Sequence, residues 1–500
     1  MLVMSSRRRW FVTAGVMTGM LLAALEATVV GTAMPTIVAA LGGLAHYSWV
    51  FSAYLLTSTV TVPVWGKLSD LFGRRRLFQI GVLVFLVGCA ACGFAQSMTQ
   101  LIIARAFQGL GAGALVPLAM TIVGDIFTLE ERAKMQGLFS GVWGISSIFG
   151  PLVGGFITDQ LSWRWVFLIN LPVGIAAAVI IGVALREPPR HDAPSIDYLG
   201  ATVLTVAVTI LLLVVGATNL VTPRNMVLIA LVVGALIWFI RIERRAKDPV
   251  VPLGLFRNRV VAVAVGVGFL AGIAMFAAIT FVPLLAQGVF GATATEAGTF
   301  LTPLMLAWVV VSIVGGKLLI RFGARILVII GLVSMLAGFI ALAMFTRDTP
   351  RSVMMIELIA IGGGLGLVML TLLIASQHSV RRDQLGITTS LNQFSRSIGG
   401  AIGVAILGAL LASGLARFSQ DPNALINPEA RANIPAAELR QLQGALEGTL
   451  RNIFATCAAV VGLALLGSFA LPGGGIGESH GERMVMAEMT TIDAEHEPEG

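Results

Sequence analysis

A chain of 500 residues that is 57% hydrophobic and only 12% charged is no soluble globular protein, in which about a quarter of the residues are charged. Its formal net charge of +7 would suit a nucleic-acid partner if the basic residues clustered. They lie instead in short loops between apolar runs, so they report topology, and no nucleic-acid partner is expected.

A helix needs about 20 mostly apolar residues to cross the hydrocarbon core of a bilayer. In chain order such runs lie near 10–33, 47–66, 77–95, 98–120, 136–158, 163–185, 197–217 and 224–241. Six more follow near 259–286, 294–316, 325–345, 352–376, 385–412 and 449–471, which makes fourteen. The first run follows Arg7, Arg8 and Arg9 but contains Glu26 and no small-residue cleavage site, so it reads as a span rather than a leader. Cys89 and Cys92 have CxxC spacing inside an apolar run, where buried core or lipid-facing thiols are expected, not a redox pair. Cys457 stands alone, and the five His are too scattered for a metal site. The loop 413–448 is polar with a short helix expected near Ala436–Leu446. From Pro472 the chain is glycine-rich and then acidic, a composition that predicts disorder.

Orientation follows from Lys and Arg. One alternate set of loops holds Lys67, Arg74, Arg75, Arg76, Arg132, Lys134, Arg186, Arg190, Arg241, Arg244, Arg245 and Lys247. It continues with Arg257, Arg259, Lys317, Arg321, Arg325, Arg381 and Arg382. The opposite loops at 34–46, 95–98 and 287–293 hold none. With an even number of spans, both termini are expected in the cytoplasm.

Two loops repeat. Gly66-Lys67-Leu68-Ser69-Asp70-Leu71-Phe72-Gly73-Arg74-Arg75-Arg76 follows the second span, and Gly316-Lys317-Leu318-Leu319-Ile320-Arg321-Phe322-Gly323-Ala324-Arg325 follows the tenth, 250 positions on. Both follow the second span of a block if the chain is six spans, two inserted spans and six spans. Duplicated halves belong to alternating-access transporters, with substrate bound between them near mid-membrane. The expected parts are a cytoplasmic N-terminus at 1–9, a six-helix bundle at 10–190, two inserted helices and a linker at 191–258, a second six-helix bundle at 259–471, and the acidic cytoplasmic tail at 472–500.

Five motifs in order carry a family resemblance over about residues 10–471. They are Leu25-Glu26-Ala27-Thr28-Val29-Val30 through Ala33-Met34-Pro35, the Gly66–Arg76 loop, and Arg105-Ala106-Phe107-Gln108-Gly109-Leu110-Gly111. Gly150-Pro151-Leu152-Val153-Gly154-Gly155 and Trp163-Arg164-Trp165-Val166-Phe167-Leu168-Ile169-Asn170-Leu171-Pro172 complete the set. Together they resemble the fourteen-helix drug:proton antiporter branch of the major facilitator superfamily. That branch usually has Asp where this chain has Glu26. The resemblance implies an all-α integral membrane fold and export of lipophilic or cationic small molecules in exchange for protons, from the bacterial cytoplasmic membrane. An exporter of a dedicated endogenous lipid or metabolite, working the same way, is the alternative.

Glu26 is the first candidate for proton coupling. A mid-span charge costs about 2.5–3.5 kcal/mol on insertion scales, and it is tolerated when it faces a cavity, pairs, or takes up a proton. Burial favours the neutral carboxyl and a nearby cation the charged one, so alternating surroundings can load and unload H⁺. Glu26 lies seven residues before the expected outer end of the first span, and Arg105 seven after the outer start of the fourth. Equal depth predicts that they communicate, directly or through Gln108 or water. In the Gly66–Arg76 loop, Gly66 and Gly73 permit close helix approach and Asp70 can face a helix N-terminus. The resemblance implies that this is the span near 385, with Arg74 pairing Asp125. Gly150, Pro151, Gly154 and Gly155 form a kinked, small-residue surface, which in that family marks exporters. Trp143, Met275, Phe276, Phe281 and Met305 are candidates for an adaptable apolar path. Glu357, near enough to the outer end of its span to snorkel, and Gln393 and Arg396 are further candidates for it. No metal cluster, Ser/His/Asp set or P-loop occurs, so neither an enzyme nor an ATP-driven pump is expected. No cofactor is expected either; a proton gradient is the remaining energy source. Two covalently joined halves make a monomer sufficient.

Overall fold

The computed structural model describes residues 6–127, 129–185, 198–215, 223–246, 249, 251, 253–381, 384–415 and 435–472, with no strand among them. Its helices in order are α1 (Ser6–Leu41), α2 (Tyr47–Phe72), α3 (Arg74–Gly93), α4 (Met98–Ile126) and α5 (Leu129–Gln160). A single turn, α6 (Trp165–Leu168), runs into α7 (Asn170–Ala184), and α8 (Tyr198–Val215) and α9 (Pro223–Glu243) follow. The remainder are α10 (Arg259–Leu284), α11 (Ala294–Ala343), α12 (Arg351–His378), α13 (Leu385–Leu415) and α14 (Ala436–Ser468). Among the described residues, eleven helical stretches are long and apolar enough to cross a membrane.

Several boundaries differ from the sequence reading for identifiable reasons. The first helix runs through Pro35 to Leu41, two turns beyond the expected end at 33. The short helix expected at Ala436–Leu446 is the beginning of α14, because no strong breaker separates it from the last span and Leu442, Leu446, Leu450 and Ile453 form one buried stripe. The tenth and eleventh runs join in α11, kinked at Gly323 with φ 74° and ψ 165°. Gly73, its counterpart in the repeated loop, has φ 90° and ψ 142° between α2 and α3. An L side chain rarely adopts such a φ, so the repeat is present in backbone conformation as well as in residue identity. The linker 186–197, the loop 416–434 and the acidic tail from 473 lie outside the described residues.

Helices α1–α7 pack mainly among themselves: α2 and α3 flank α4, and α1 lies on α5 and α7. In the second half α11 doubles back on α12, α10 pairs with α13, and α14 covers α10 and α11. Helices α8 and α9 pair with each other, and α8 rests where α2 meets α13. The halves meet along α2 with α13, α5 with α11, and α1 with α10.

The hydrogen bonds described between the halves cluster towards one end, the one that the Lys and Arg pattern expects outside. Tyr47 Oη donates to the Thr280 carbonyl at 2.8 Å. Gln287 Nε2, on a π turn that extends α10, donates to the Thr32 carbonyl at 2.9 Å. The Asp159 carboxylate at the end of α5 accepts from Ala294 N at 3.2 Å, Thr295 N at 2.8 Å and Thr295 Oγ1 at 2.5 Å, capping the start of α11 in the other half. Near the opposite end, Gly66 of α2 and Gly386 of α13 have open space beside them among the described residues. Among the described residues, the hydrogen bonds that join the halves lie at the first of these two ends.

Candidate functional site

The site begins with small residues that let α4 sink between its neighbours. A Cβ on Gly88 of α3 would collide with Gln108 of α4, and one on Gly109 would reach the Tyr54 carbonyl of α2 at 2.7 Å. Ser97 caps α4, its hydroxyl accepting from Gln100 N at 3.3 Å. These contacts set Arg105 and Gln108 one turn apart in the interior of the first half.

There the structure brings Glu26 and Arg105 together. Arg105 Nη1 donates to Glu26 Oε1 and to Gln108 Oε1, the latter at 2.7 Å, while its Nε donates to the Val50 carbonyl at 3.2 Å. The second carboxylate oxygen of Glu26 accepts from Asn170 Nδ2 at 2.9 Å. The guanidinium carbon lies 4.0 Å from the Tyr54 ring centroid. Glu26 is 1% and Arg105 2% exposed, so the pair exchanges the solvation of both ions for each other and for neutral donors and acceptors. Gln108 Nε2 approaches Cys89 Sγ at 3.1 Å, and Cys92 Sγ lies 3.6 Å from Gln108 Oε1. The CxxC thiols are free and buried against this cluster rather than against lipid.

Asn170, Tyr54 and Asp159 were not among the residues singled out from the sequence. Asn170 lies in the Trp163–Pro172 motif, and a polar residue opening an apolar run is its only signal. In the same motif, Arg164 Nη1 donates to the Gly93 and Ala95 carbonyls at 2.9 and 2.8 Å, satisfying the end of α3.

Gly154 faces α1, where a Cβ would meet the Thr32 hydroxyl at 2.6 Å and the Val29 carbonyl at 2.7 Å, and Gly150 approaches Thr28 on the same face. Gly155 faces the other half, a Cβ there lying 2.5 Å from the Ala294 carbonyl, and the Pro151 carbonyl receives Gly298 of α11. This one segment therefore packs α5 on α1 and on the second half together.

The remaining candidates are dispersed. Met275, Phe281 and Met305 are buried in the central core, with Phe281 against Tyr47 of the other half at a ring separation of 6.2 Å. Phe276 is half-buried, beside Gly400. Glu357 is 8% exposed with its Oε2 buried and unpartnered, and so does not reach the surface as its place in the span suggested. Arg396 of α13 bonds Gln393 on the same helix. Arg74 Nη1 donates to the Thr121 carbonyl at 2.8 Å, one turn before Asp125. The side chains of Asp70, Asp125 and Trp143 lie outside the described residues. Among the described residues no group of His, Cys, Asp and Glu could hold a metal.

Residues 16–404 match the family model described as Major Facilitator Superfamily. The chain is 42% identical over 410 residues to the multidrug transporter protein MdtP of Bacillus subtilis (strain 168), covering 81% of this chain and 76% of that protein. It is 35% identical over 467 residues to multidrug resistance protein 3 of the same organism, covering 89% and 91%. In fold it is similar to the crystal structure of a bacterial homolog to the human lysosomal transporter Spinster, with TM-score 0.68, 17% identity, and coverage of 93% of this chain and 98% of that one.

Proposed function

This chain belongs to the Major Facilitator Superfamily, and from that premise we propose that it is a proton-coupled antiporter exporting lipophilic or cationic small molecules by alternating access. It is a multi-pass membrane transporter and not an enzyme, and its relatives are multidrug transporters. The observation that carries the proton step is the buried Glu26–Arg105 pair with Gln108 and Asn170. A carboxylate held by one cation and one amide can exchange that partner for a proton when the surroundings change. Loss of the proton restores the pair. The change in surroundings is the exchange between outer-closed and inner-closed arrangements, which ligands bias only through differential affinity.

Fourteen spans follow if α2, α5 and α8 are added to the eleven apolar stretches, with α6 and α7 as one span and α11 as two. Helices α2 and α5, which are not among those apolar stretches, meet α13 and α11 of the other half, as suits helices lining the seam. The halves are then residues 10–190 and 259–471, with the inserted pair between them. The basic loops put both termini in the cytoplasm of a bacterial cell. A proton moving down 100 mV supplies about 2.3 kcal/mol, and the protein acts as a monomer without a cofactor. Asp70, Gly73, Arg74 and Asp125 serve as the inner gate, closing when the outer one opens.

The test is ethidium efflux in proteoliposomes with an imposed pH gradient, wild type against Glu26→Gln. Gradient-driven transport in the wild type and its loss in the variant are expected. Undiminished uphill transport by Glu26→Gln would move coupling elsewhere, and a wild type inactive on ethidium would point to a dedicated endogenous cargo.

A further inference from the structure

Cys89 and Cys92 take no part in the proton step described above, yet both stand in its cluster. They lie three residues apart on α3, on the face turned to α4. Gly88 brings that face close, since a Cβ there would lie 2.4 Å from the Gln108 Cα. Both thiols are free and fully buried, and each meets one end of the Gln108 amide. Gln108 Nε2 donates to Cys89 Sγ at 3.1 Å, and Cys92 Sγ donates to Gln108 Oε1 at 3.6 Å. In that orientation the amide oxygen faces Arg105 Nη1 at 2.7 Å.

Gln108 is itself fully buried, so each polar atom of its amide needs a partner. Its oxygen has Arg105, and the described partner of its nitrogen is the Cys89 sulfur. Without that sulfur, the acceptor within the amide's reach is the Glu26 carboxylate, which Gln108 adjoins. A donor on that carboxylate favours its charged form and so competes with a proton. The titratable and charged groups that face Glu26 are Arg105 from α4, Tyr54 from α2, and Cys89 and Cys92 from α3, while α7 brings the neutral Asn170. Among the described residues, α5 and α10 bring none.

We propose that Cys89, with Cys92 beside it, is a positioning residue for proton uptake, holding the Gln108 amide with its nitrogen away from Glu26 and its oxygen on Arg105. When Glu26 takes a proton, Gln108 and the Val50 carbonyl remain as acceptors for the guanidinium. The thiols thus act through Gln108 and touch neither proton nor cargo. This inference rests on the efflux reading and deepens its proton step.

The test is an infrared pH titration of the purified full-length protein, in which the carboxylic-acid C=O band of Glu26 is identified by its loss in Glu26→Gln. Cys89→Ala should lower the midpoint of that band by about 0.5–1 pH unit, the worth of one hydrogen bond. Cys89→Ser leaves the same space but restores an acceptor, and should return most of the shift. In Gln108→Leu, the added change Cys89→Ala should move the midpoint no further. A midpoint unchanged or raised in Cys89→Ala, an equal shift in Cys89→Ser, or the full shift in the Gln108→Leu background would each overturn the proposal. A wild type whose Glu26 band does not titrate would overturn it as well. If Cys89→Ala does not fold, Cys89→Val, which fills the space without an acceptor, is read against Cys89→Ser in the same way. The band is read without transport, so a wild type that moves no ethidium under a pH gradient counts against the efflux reading and not against the role of Cys89.

Discussion

Arg105 shows how much one residue does at this site. It bonds a carboxylate, an amide and a backbone carbonyl, and it lies over Tyr54. Removing one partner of a buried ion pair strands the other at a cost of about 3–5 kcal/mol. Arg105→Ala and Glu26→Gln should therefore each lower the unfolding midpoint in thermal melts, the first stranding the carboxylate and the second the guanidinium. Midpoints unchanged from wild type in both variants would mean that the pair contributes little to the fold. Asn170 contributes one hydrogen bond to a charged group, worth about 1.5–3 kcal/mol. Asn170→Ala is expected to slow gradient-driven ethidium efflux about tenfold, and wild-type rates would remove Asn170 from the coupling site. The partnership of Glu26 and Arg105 was legible in the sequence as two charges at one depth. The place of Tyr54 was not, because an aromatic residue in an apolar run carries no mark of what it stacks upon.

At the scale of elements, glycine and helix ends decide the packing. Gly73 and Gly323 hold positive φ with extended ψ at matching points of the repeat, and a side chain forced into that region costs about 1–3 kcal/mol. Gly73→Ala and Gly323→Ala should each depress the unfolding midpoint by a few degrees. An unchanged midpoint for either would show that its turn relaxes to another conformation. Asp159 holds three donors at the start of α11, a charge-assisted cap that exists only while the outer ends touch. Asp159→Ala is expected to increase the outward-open fraction. With Thr36→Cys as reporter, labelling by an impermeant maleimide from outside should accelerate about tenfold or more; labelling at the parent rate would show that the cap does not hold the closure. The run of α14 from Ala436 onward was read as two helices because a polar stretch precedes the apolar one, although nothing between them breaks a helix.

For the whole molecule, three of the arginines that depart from the positive-inside pattern are accounted for by what they bond. Arg164 caps α3, Arg347 pairs with Glu447 at 3.1 Å and bonds Gln443 at 3.2 Å, and Arg451 donates to the Ala343 carbonyl at 3.1 Å. They tie helix ends together, a role that accounts for them without reference to orientation. Fourteen spans predict a cytoplasmic C-terminus: a green fluorescent protein fused there should fluoresce and an alkaline phosphatase should be inactive. The reverse pattern would require an odd number of crossings.

Membrane residence, the order of the helices, the duplicated loop and the depth of the buried charges follow from sequence alone. Each is set by local composition, a span of about 20 apolar residues and a fixed rise per residue. The joining of the halves at one end and the cap that Asp159 places on a helix 135 positions away were decided by tertiary structure. They depend on which faces of α1, α5, α10, α11 and α13 meet. In an apolar helix every face looks alike in sequence, and only packing against a neighbour distinguishes the seam from the surface in lipid.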